Sequence, residues 1–150
     1  MPLDLTDNLI KNVRAIVWKK SERGPLFLLT QEPSGAFTIP GGCKDVEDVD
    51  LLAALHRELR EELYLEPSDY SARATDIRKE YASLYNRPPE RAGKNTVISL
   101  FTVSDLSKEP RASAEIKDIV WVTADDVLQM LKAPHMNELF RMGFGAVHAS

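Results

Sequence analysis

The sequence predicts an α/β domain on a mixed β-sheet, with an α+β arrangement as the open alternative. Five or six short segments carry strand-like patterning, and two or three segments typical of helices are interspersed among them. The chain has 150 residues, which is the length of one ordinary domain and enough to bury a core. We therefore expect one domain over residues 1–150.

The chain is expected to begin its sheet with a β-hairpin. Residues on one side of the segment Asn12–Trp18 are apolar throughout, and a second apolar segment, Leu26–Thr30, follows after turn-forming residues. A short apolar segment over Ala36–Ile39 comes next. It ends at Pro40-Gly41-Gly42, which by itself reads as a turn.

The clearest helix is expected over about Asp50–Leu63, which is rich in the strong helix formers Leu, Ala, Glu and Arg. Either Asp48 or Asp50 can cap its start, and Pro67 lies shortly beyond its end. At about 100° per residue, four leucines fall on one stripe that should face the core. These are Leu52, Leu55, Leu59 and Leu63.

The second half of the chain is expected to add three strands and two helices. The strands are predicted over Ala72–Tyr81, Lys94–Val103 and Ile116–Val122. The first helix should run from a Thr123 cap to about Leu131, and the second from Pro134 to about Met142. We expect the remaining residues, 143–150, to be loose.

Composition and charge exclude several classes of function. Nineteen Lys and Arg against 23 Asp and Glu give a net charge of -4, which argues against a general nucleic-acid coat or a polybasic membrane binder. Cys43 is the only cysteine, so no intrachain disulfide can form. No apolar run approaches the ~20 residues that span a bilayer, and the first ten residues lack a signal-peptide pattern. We therefore expect a cytoplasmic protein with no membrane partner.

The predicted helix at 50–63 carries three carboxylates on one arc. Glu58 is followed by Glu61 and Glu62 at i+3 and i+4, a spacing at which like charges repel. A solvated acidic face is one interpretation. The other is a cation site, because hard divalent ions such as Mg²⁺ prefer carboxylate oxygens. The upstream glycines, which let a backbone approach a ligand closely, favour the cation site.

These elements together resemble the Nudix box, whose second half reads R-E-U-x-E-E-x-G-U with U aliphatic. Residues 57–65, RELREELYL, match that half, and Ile39-Pro40-Gly41-Gly42 matches the usual entry into the box. The order of the surrounding strands, including the closing segment 119–122 with its helix, is also similar to the family. The resemblance implies an α/β/α sandwich around a mixed β-sheet and hydrolysis of a nucleoside diphosphate linked to a moiety X.

The resemblance also implies a metal site and its supports. Glu58, Glu61 and Glu62 would bind Mg²⁺ or Mn²⁺, with the carbonyl of Gly41 as a further ligand. Arg57 would hold the glutamates and the glycine loop through charge-assisted hydrogen bonds. The attacking water would lose its proton to Glu62 or Glu61. In some family members an acid before the last strand takes this role, and Glu115 lies there in this chain.

Two positions depart from the family pattern. The acid that should precede Arg57 is either Asp48 or Glu47, and both spacings are longer than the pattern allows. The glycine near the helix end is replaced by Tyr64, which adopts a left-handed conformation only at a cost. We therefore expect a small insertion before the helix and a reshaped helix exit.

The loop over Tyr85–Lys94 is a candidate for substrate binding. Arg87, Arg91 and Lys94 give it a cationic bias that suits phosphate groups, and Tyr85 could stack on a base. A plain solvent-exposed loop is the alternative. Phe37, before the glycines, either packs in the core or faces the base.

The first functional hypothesis is a metal-dependent pyrophosphohydrolase that converts a nucleoside or deoxynucleoside triphosphate into the monophosphate and pyrophosphate. An RNA 5′ pyrophosphohydrolase and a dinucleoside polyphosphate hydrolase are the enzymatic alternatives. A non-catalytic nucleotide sensor is the alternative of another class, favoured by the long junction and Tyr64 but not by three retained glutamates. Dimers are common in the family, so a homodimer stays open.

Overall fold

The computed structural model describes residues 3–5, 8–85 and 89–148. Within these residues, seven strands and three helices follow in the order ββββαβββαα. They are β1 (Ile10–Lys19), β2 (Leu26–Gln31), β3 (Phe37–Thr38), β4 (Gly41–Cys43), α1 (Leu51–Leu63), β5 (Ser71–Tyr81), β6 (Thr96–Ser104), β7 (Asp118–Val122), α2 (Ala124–Met130) and α3 (Pro134–His148). A short 3-10 turn over Pro67–Asp69 joins α1 to β5.

The strands form one mixed sheet with β1 at its centre. The main path runs β3-β2-β1-β6-β5, while β4 pairs with β1 and β7 pairs with β2. Strands β1 and β6 are parallel, and the other pairings are antiparallel. The expected β1–β2 hairpin is confirmed, with Val17 opposite Leu28.

Helices cover both faces of the sheet, so the expected α/β/α sandwich is confirmed. Alternate residues of β1 serve the two faces, as the period of two in a strand requires. Val13 and Ala15 pack with the leucines of α1 in one buried cluster. Ile16 packs with Val127 of α2 and Leu139 of α3 in the other.

The predicted bounds of α1 are confirmed, and the structure shows which of Asp48 and Asp50 caps its start. Asp50 is the cap, because its side chain accepts a hydrogen bond of 2.7 Å from the amide of Ala53. One part of the predicted core stripe is wrong. Leu52 is 39% exposed and lies outside the cluster that α1 shares with the sheet. Ala54, one turn before Glu58, is buried on that face together with the three later leucines.

The helix exit is not reshaped, contrary to the expectation from sequence. Tyr64 itself takes the left-handed conformation that a glycine would supply, with φ 56° and ψ 32°. Its amide donates to the carbonyl of Arg60, and the next amide, of Leu65, donates to Leu59. This is the usual left-handed helix ending, formed here by a tyrosine.

Two further predictions about elements are wrong. Residues 143–148 are not loose but continue α3, because Gly143 lies against Ile16 and Leu100 and Val147 is buried. Pro40-Gly41-Gly42 is not only a turn, since Gly41 and Gly42 belong to strand β4. No helix among the described residues is long and apolar enough to cross a membrane.

Candidate active site

The two glycines of β4 bring the backbone against the acidic face of α1. Gly41 has φ 145°, and a side chain there would overlap the carbonyl of Val13 on β1. A side chain at Gly42 would overlap the carboxylate of Glu58. Only glycine fits at position 41, because the obstacle there is backbone, whereas a side chain at position 42 would have to displace the Glu58 carboxylate.

Arg57 is the centre of the contacts that join this backbone to α1. Its Nη2 donates to the carbonyl of Cys43 at 2.9 Å and to Asp48 at 3.0 Å, and its Nε donates to Asp48 at 3.1 Å. Asp48 is buried, whereas Glu47 is exposed. Of the two acids that the sequence offered, Asp48 is therefore the partner of Arg57.

Arg57 also holds two of the three glutamates. Its Nη1 donates to Oε1 of Glu58 and to Oε2 of Glu61, each at 3.1 Å. The two carboxylates therefore lie close to the same nitrogen atom. Contacts of this kind are what the sequence analysis expected of Arg57, and its positioning role stays a prediction.

Glu62 points to the glycine strand. Its Oε1 accepts a hydrogen bond of 3.1 Å from the amide of Gly41. Burial raises the pKa of Glu62 to about 8, and the charges of Glu58 and Glu115 add to the rise, while Arg14 and the Gly41 amide oppose it. Burial likewise raises the pKa of Glu58, against the opposing charge of Arg57.

The chemistry of this acidic group fits a divalent cation. Among the described residues, no three His, Cys, Asp or Glu side chains are already gathered in an arrangement that could hold a metal ion. The oxygen donors are nevertheless of the type that Mg²⁺ and Mn²⁺ prefer. Burial raises the pKa values of two of these carboxylates, Glu58 and Glu62, and neighbouring acids add to the rise: Glu61 for Glu58, and Glu58 with Glu115 for Glu62. A bound cation relieves this situation.

A cavity of about 350 Å³ opens beside Glu62, and we call it the acidic cavity. Gly41, Glu62 and Glu115 line one side of it. Glu115 comes from the loop before β7, which is tied to the end of α1 by the amide of Ser113 donating to the carbonyl of Glu62 at 3.0 Å. Glu115 was predicted from its sequence position, and the structure places it in the same cavity as Glu62.

A second cavity of about 210 Å³, which we call the aromatic cavity, adjoins the first. Arg14, Glu32 and Thr38 line both cavities and so connect them into one cleft. The remaining lining of the aromatic cavity is mainly apolar and aromatic. It includes Asn12, Phe37, Leu84, Tyr85, Ile98, His135 and Met136.

Arg14 is the important residue that sequence reasoning missed. It is 9% exposed, and its guanidinium donates to Asn12 at 2.9 Å and to the carbonyl of Ile39 at 2.8 Å. These two bonds hold it between the acidic and the aromatic cavity. The signal was present, because Arg14 is the charged residue in an otherwise apolar segment, 13–17. A buried cation in such a strand needs an anionic partner or a function.

The predicted substrate residues separate into two groups. Phe37 and Tyr85 line the aromatic cavity. Phe37 also packs against the core, which confirms the core interpretation, while its contact with a base stays a prediction. The guanidinium of Arg91 lies 5.4 Å from the centre of the Tyr85 ring. Lys94 and Arg91 line neither cavity. Arg87 lies outside the described residues.

The hydroxyl of Tyr85 anchors that ring at the wall of the cavity. Nδ2 of Asn12 donates to it at 3.3 Å, and Sγ of Cys43 lies 3.5 Å from it. Burial raises the pKa of Tyr85 to about 12, and neighbouring Cys43 adds to the rise. The ring is therefore a neutral aromatic surface at the pH of a cell.

Comparison with known proteins identifies relatives of this fold. A family model for the NUDIX domain matches residues 9–142. No match was found among curated proteins. The Ap4A hydrolase of C. elegans, solved as a binary complex, is similar with a TM-score of 0.73 at 22% sequence identity, covering 93% of this chain and 98% of that one.

Two more solved structures show the same fold. The NUDIX domain of Shewanella oneidensis NrtR, solved with ADP ribose, has a TM-score of 0.71 at 21% identity, covering 93% of this chain and 88% of that one. The E. coli dihydroneopterin triphosphate pyrophosphohydrolase has a TM-score of 0.70 at 12% identity, covering 85% and 90%.

The family match includes every strand of the sheet and ends within α3. Inside it, Arg57 contacts Glu58 and Glu61, and Glu62 accepts from the amide of Gly41 at the wall of the acidic cavity. Nudix hydrolases cleave pyrophosphate linkages in nucleotide derivatives and generally require divalent metals. The chain therefore belongs to the Nudix family and is a pyrophosphohydrolase that acts on phosphorus-containing anhydrides.

Proposed function

We propose that this enzyme hydrolyses a nucleoside or deoxynucleoside triphosphate to the monophosphate and pyrophosphate. The observation that supports this is the continuity of the cleft at Arg14. A triphosphate would extend from the base in the aromatic cavity, past the guanidinium of Arg14, to Glu62 in the acidic cavity. Arginine suits this place because its planar fork binds phosphate oxygens in pairs.

We assign the metal ligands to Glu58, Glu61 and Glu62, with the carbonyl of Gly41 as a further ligand. The cation, when bound, supplies positive charge to the pyrophosphate oxygens and to the attacking water. The chain prepares for this by keeping Glu58 and Glu62 sheltered from solvent and by fixing Glu62 on the Gly41 amide. Arg57 is a positioning residue, since its contacts hold carboxylates and loop together.

Three carboxylates line the acidic cavity, those of Glu32, Glu62 and Glu115, and of these we consider Glu62 and Glu115 as acceptors of the proton of the attacking water. Glu115 is exposed, so it can exchange that proton with solvent. Because Glu62 is assigned to the metal, we propose Glu115 for proton transfer, since the amide of Ser113 ties its loop to the end of α1. A Glu115→Gln variant should then lower kcat by about 100-fold or more, because a general base is lost. Its metal requirement should change little.

At the other end of the cleft, we assign base recognition to the aromatic cavity. Tyr85 and Phe37 offer faces on which a base can stack. Arg91 supports the Tyr85 ring by lying over it. We propose that Arg91, with Lys94 and Arg87 on the same loop, adds positive charge that attracts the phosphates.

The test is release of phosphate and pyrophosphate from a panel of substrates. The panel holds ordinary and oxidised nucleoside triphosphates, dinucleoside polyphosphates, nucleotide sugars and triphosphorylated RNA, each with Mg²⁺, Mn²⁺ or chelator. We expect metal-dependent release of pyrophosphate from a triphosphate, and a loss of about 100-fold or more in Glu62→Gln because a metal ligand is removed. Glu22→Gln, an exposed acid in the β1–β2 turn, is the matched control and should be unaffected.

The panel separates this proposal from its alternatives. A preference for dinucleoside polyphosphates or triphosphorylated RNA would overturn the triphosphate assignment but leave the cleft and its metal intact. Tight nucleotide binding without turnover of any substrate would contradict catalysis itself and indicate a sensor.

A further inference from the structure

A third cavity, of about 370 Å³, lies on the face of the sheet that α1 covers. It shares no lining residue with the acidic or the aromatic cavity. Three cationic side chains from three separate segments line it: Lys11 on β1, Lys44 after β4, and Arg78 on β5. Leu51 and Val97 form its apolar wall. We call it the cationic cavity.

A bulge in β5 places Arg78 at this cavity. Ala74 pairs with Phe101, and the next pair along the strand joins Arg78 to Ser99. Regular pairing would place Asp76 opposite Ser99. The two additional residues on β5 therefore place Arg78, and not Asp76, at the cavity wall. Bulges commonly redirect side chains in this way.

The cations already hold one carboxylate of the chain. One oxygen of Asp4 accepts from Lys11 at 3.2 Å and from Lys44 at 2.7 Å. The side chain of Lys44 is only 10% exposed, so this charge is held in a sheltered place. Asp50, the acid among the lining residues, is engaged as the cap of α1. Within the described residues, the side chain of Arg78 makes no hydrogen bond or ion pair.

We propose that the cationic cavity is a second phosphate-binding site, outside the catalytic cleft. A phosphate dianion offers oxygens in several directions and can contact Lys11, Lys44 and Arg78 together, which a single carboxylate oxygen cannot. It would replace Asp4 as the partner of the two lysines. The ligand is inorganic phosphate or the phosphate of a nucleotide, and the apolar wall suits the latter. This proposal does not depend on which nucleotide the cleft hydrolyses.

The test is a titration of the full-length, ¹⁵N-labelled protein with inorganic phosphate in metal-free buffer. Amide signals of Leu51 and Val97 report the cationic cavity, and those of Gly41 and Glu62 report the cleft. We expect saturable shifts at Leu51 and Val97. Arg78→Ala should weaken that binding about tenfold or more, since a charge-assisted bond is lost. Arg73→Ala, an exposed arginine on the same strand, is the matched control.

A second variant changes binding in the opposite direction. Asp4→Asn removes the acid that competes for Lys11 and Lys44, so phosphate should bind several-fold more tightly. Repeating the titration with AMP distinguishes the sources: tighter binding than phosphate assigns the site to a nucleotide, and equal binding assigns it to the free anion. Shifts confined to Gly41 and Glu62, or equal losses in Arg78→Ala and Arg73→Ala, would overturn the proposal.

Discussion

At the scale of single residues, Asp48 shows how burial chooses between two acids that spacing leaves equal. Glu47 and Asp48 are neighbours, yet only Asp48 is buried and bonded to Arg57. Burial acts to raise the pKa of Asp48, but the hydrogen bond from Arg57, the amide of Asp45 and the nearby positive charges outweigh it. The net effect is a lowered pKa, so Asp48 stays charged and keeps Arg57 in place.

We predict that Asp48→Asn lowers kcat/KM by about 10- to 100-fold, the usual effect of losing a residue that orients metal ligands. The free energy of unfolding should fall by about 2 kcal/mol because a charge-assisted bond to a half-buried arginine is weakened. Steady-state kinetics and urea unfolding measure the two effects. Glu47→Gln is the control, and equal damage from both variants would show that the junction, and not Asp48, is what matters.

At the scale of elements, the end of α1 depends on a tyrosine in a conformation that glycine prefers. Left-handed backbone costs roughly 1–2 kcal/mol for a residue with a side chain. The ring of Tyr64 recovers part of this, since the guanidinium of Arg111 lies 5.0 Å from its centre.

Tyr64→Gly should therefore stabilise the protein, by about 0.5 kcal/mol after the lost ring contact and the greater freedom of the unfolded chain are subtracted. Urea unfolding with an unchanged m-value measures this directly. Tyr64→Ala is the comparison, because it loses the ring but keeps the backbone strain, and it should destabilise. If glycine also destabilised, the contact with Arg111 would outweigh the strain.

Most elements could be predicted because their signals are local. The bounds of α1 follow from helix propensity, and Thr123 marks the start of α2 by accepting from the amide of Asp126. The end of α3 could not be predicted, since Gly143 suggests a break until the sheet surface beneath it is known. Strand β4 could not be predicted either, because only its pairing with β1 makes it a strand.

At the scale of the whole molecule, some residues of the site could be predicted from local sequence and others could not. The three glutamates and Arg57 lie on one helix, so their spacing, together with the resemblance to the Nudix box, predicted that they act together. The aromatic cavity combines Arg14, Glu32 and His135 from the beginning, the first third and the end of the chain. Only the order of strands in the sheet brings these residues together, and a single sequence does not carry that information.

The pH dependence of the free energy of unfolding should depend on the position of His135 in the aromatic cavity. Burial lowers the pKa of His135 below its ordinary value of 6.5, and the positive charge of Arg14 lowers it further. The Tyr81 ring, 5.7 Å away between centres, packs beside it. As pH falls through 6.5, the unfolded chain therefore takes up this proton before the folded protein does. Stability is lost over that window, down to the lowered pKa of the folded state.

We predict that the difference in unfolding free energy between wild type and His135→Asn is constant above about pH 7.5. Below about pH 6.5, the wild type should lose stability relative to the variant. Glu58 and Glu62, whose pKa values are raised, act in the opposite sense in the metal-free protein, but they are present in both proteins and cancel. Urea unfolding between pH 5.5 and 8 gives the difference, and an NMR titration of the His135 ring gives its pKa. A difference that does not change with pH, or a ring pKa at or above 6.5, would contradict the placement of His135 beside Arg14, because a solvated imidazole would protonate equally in both states.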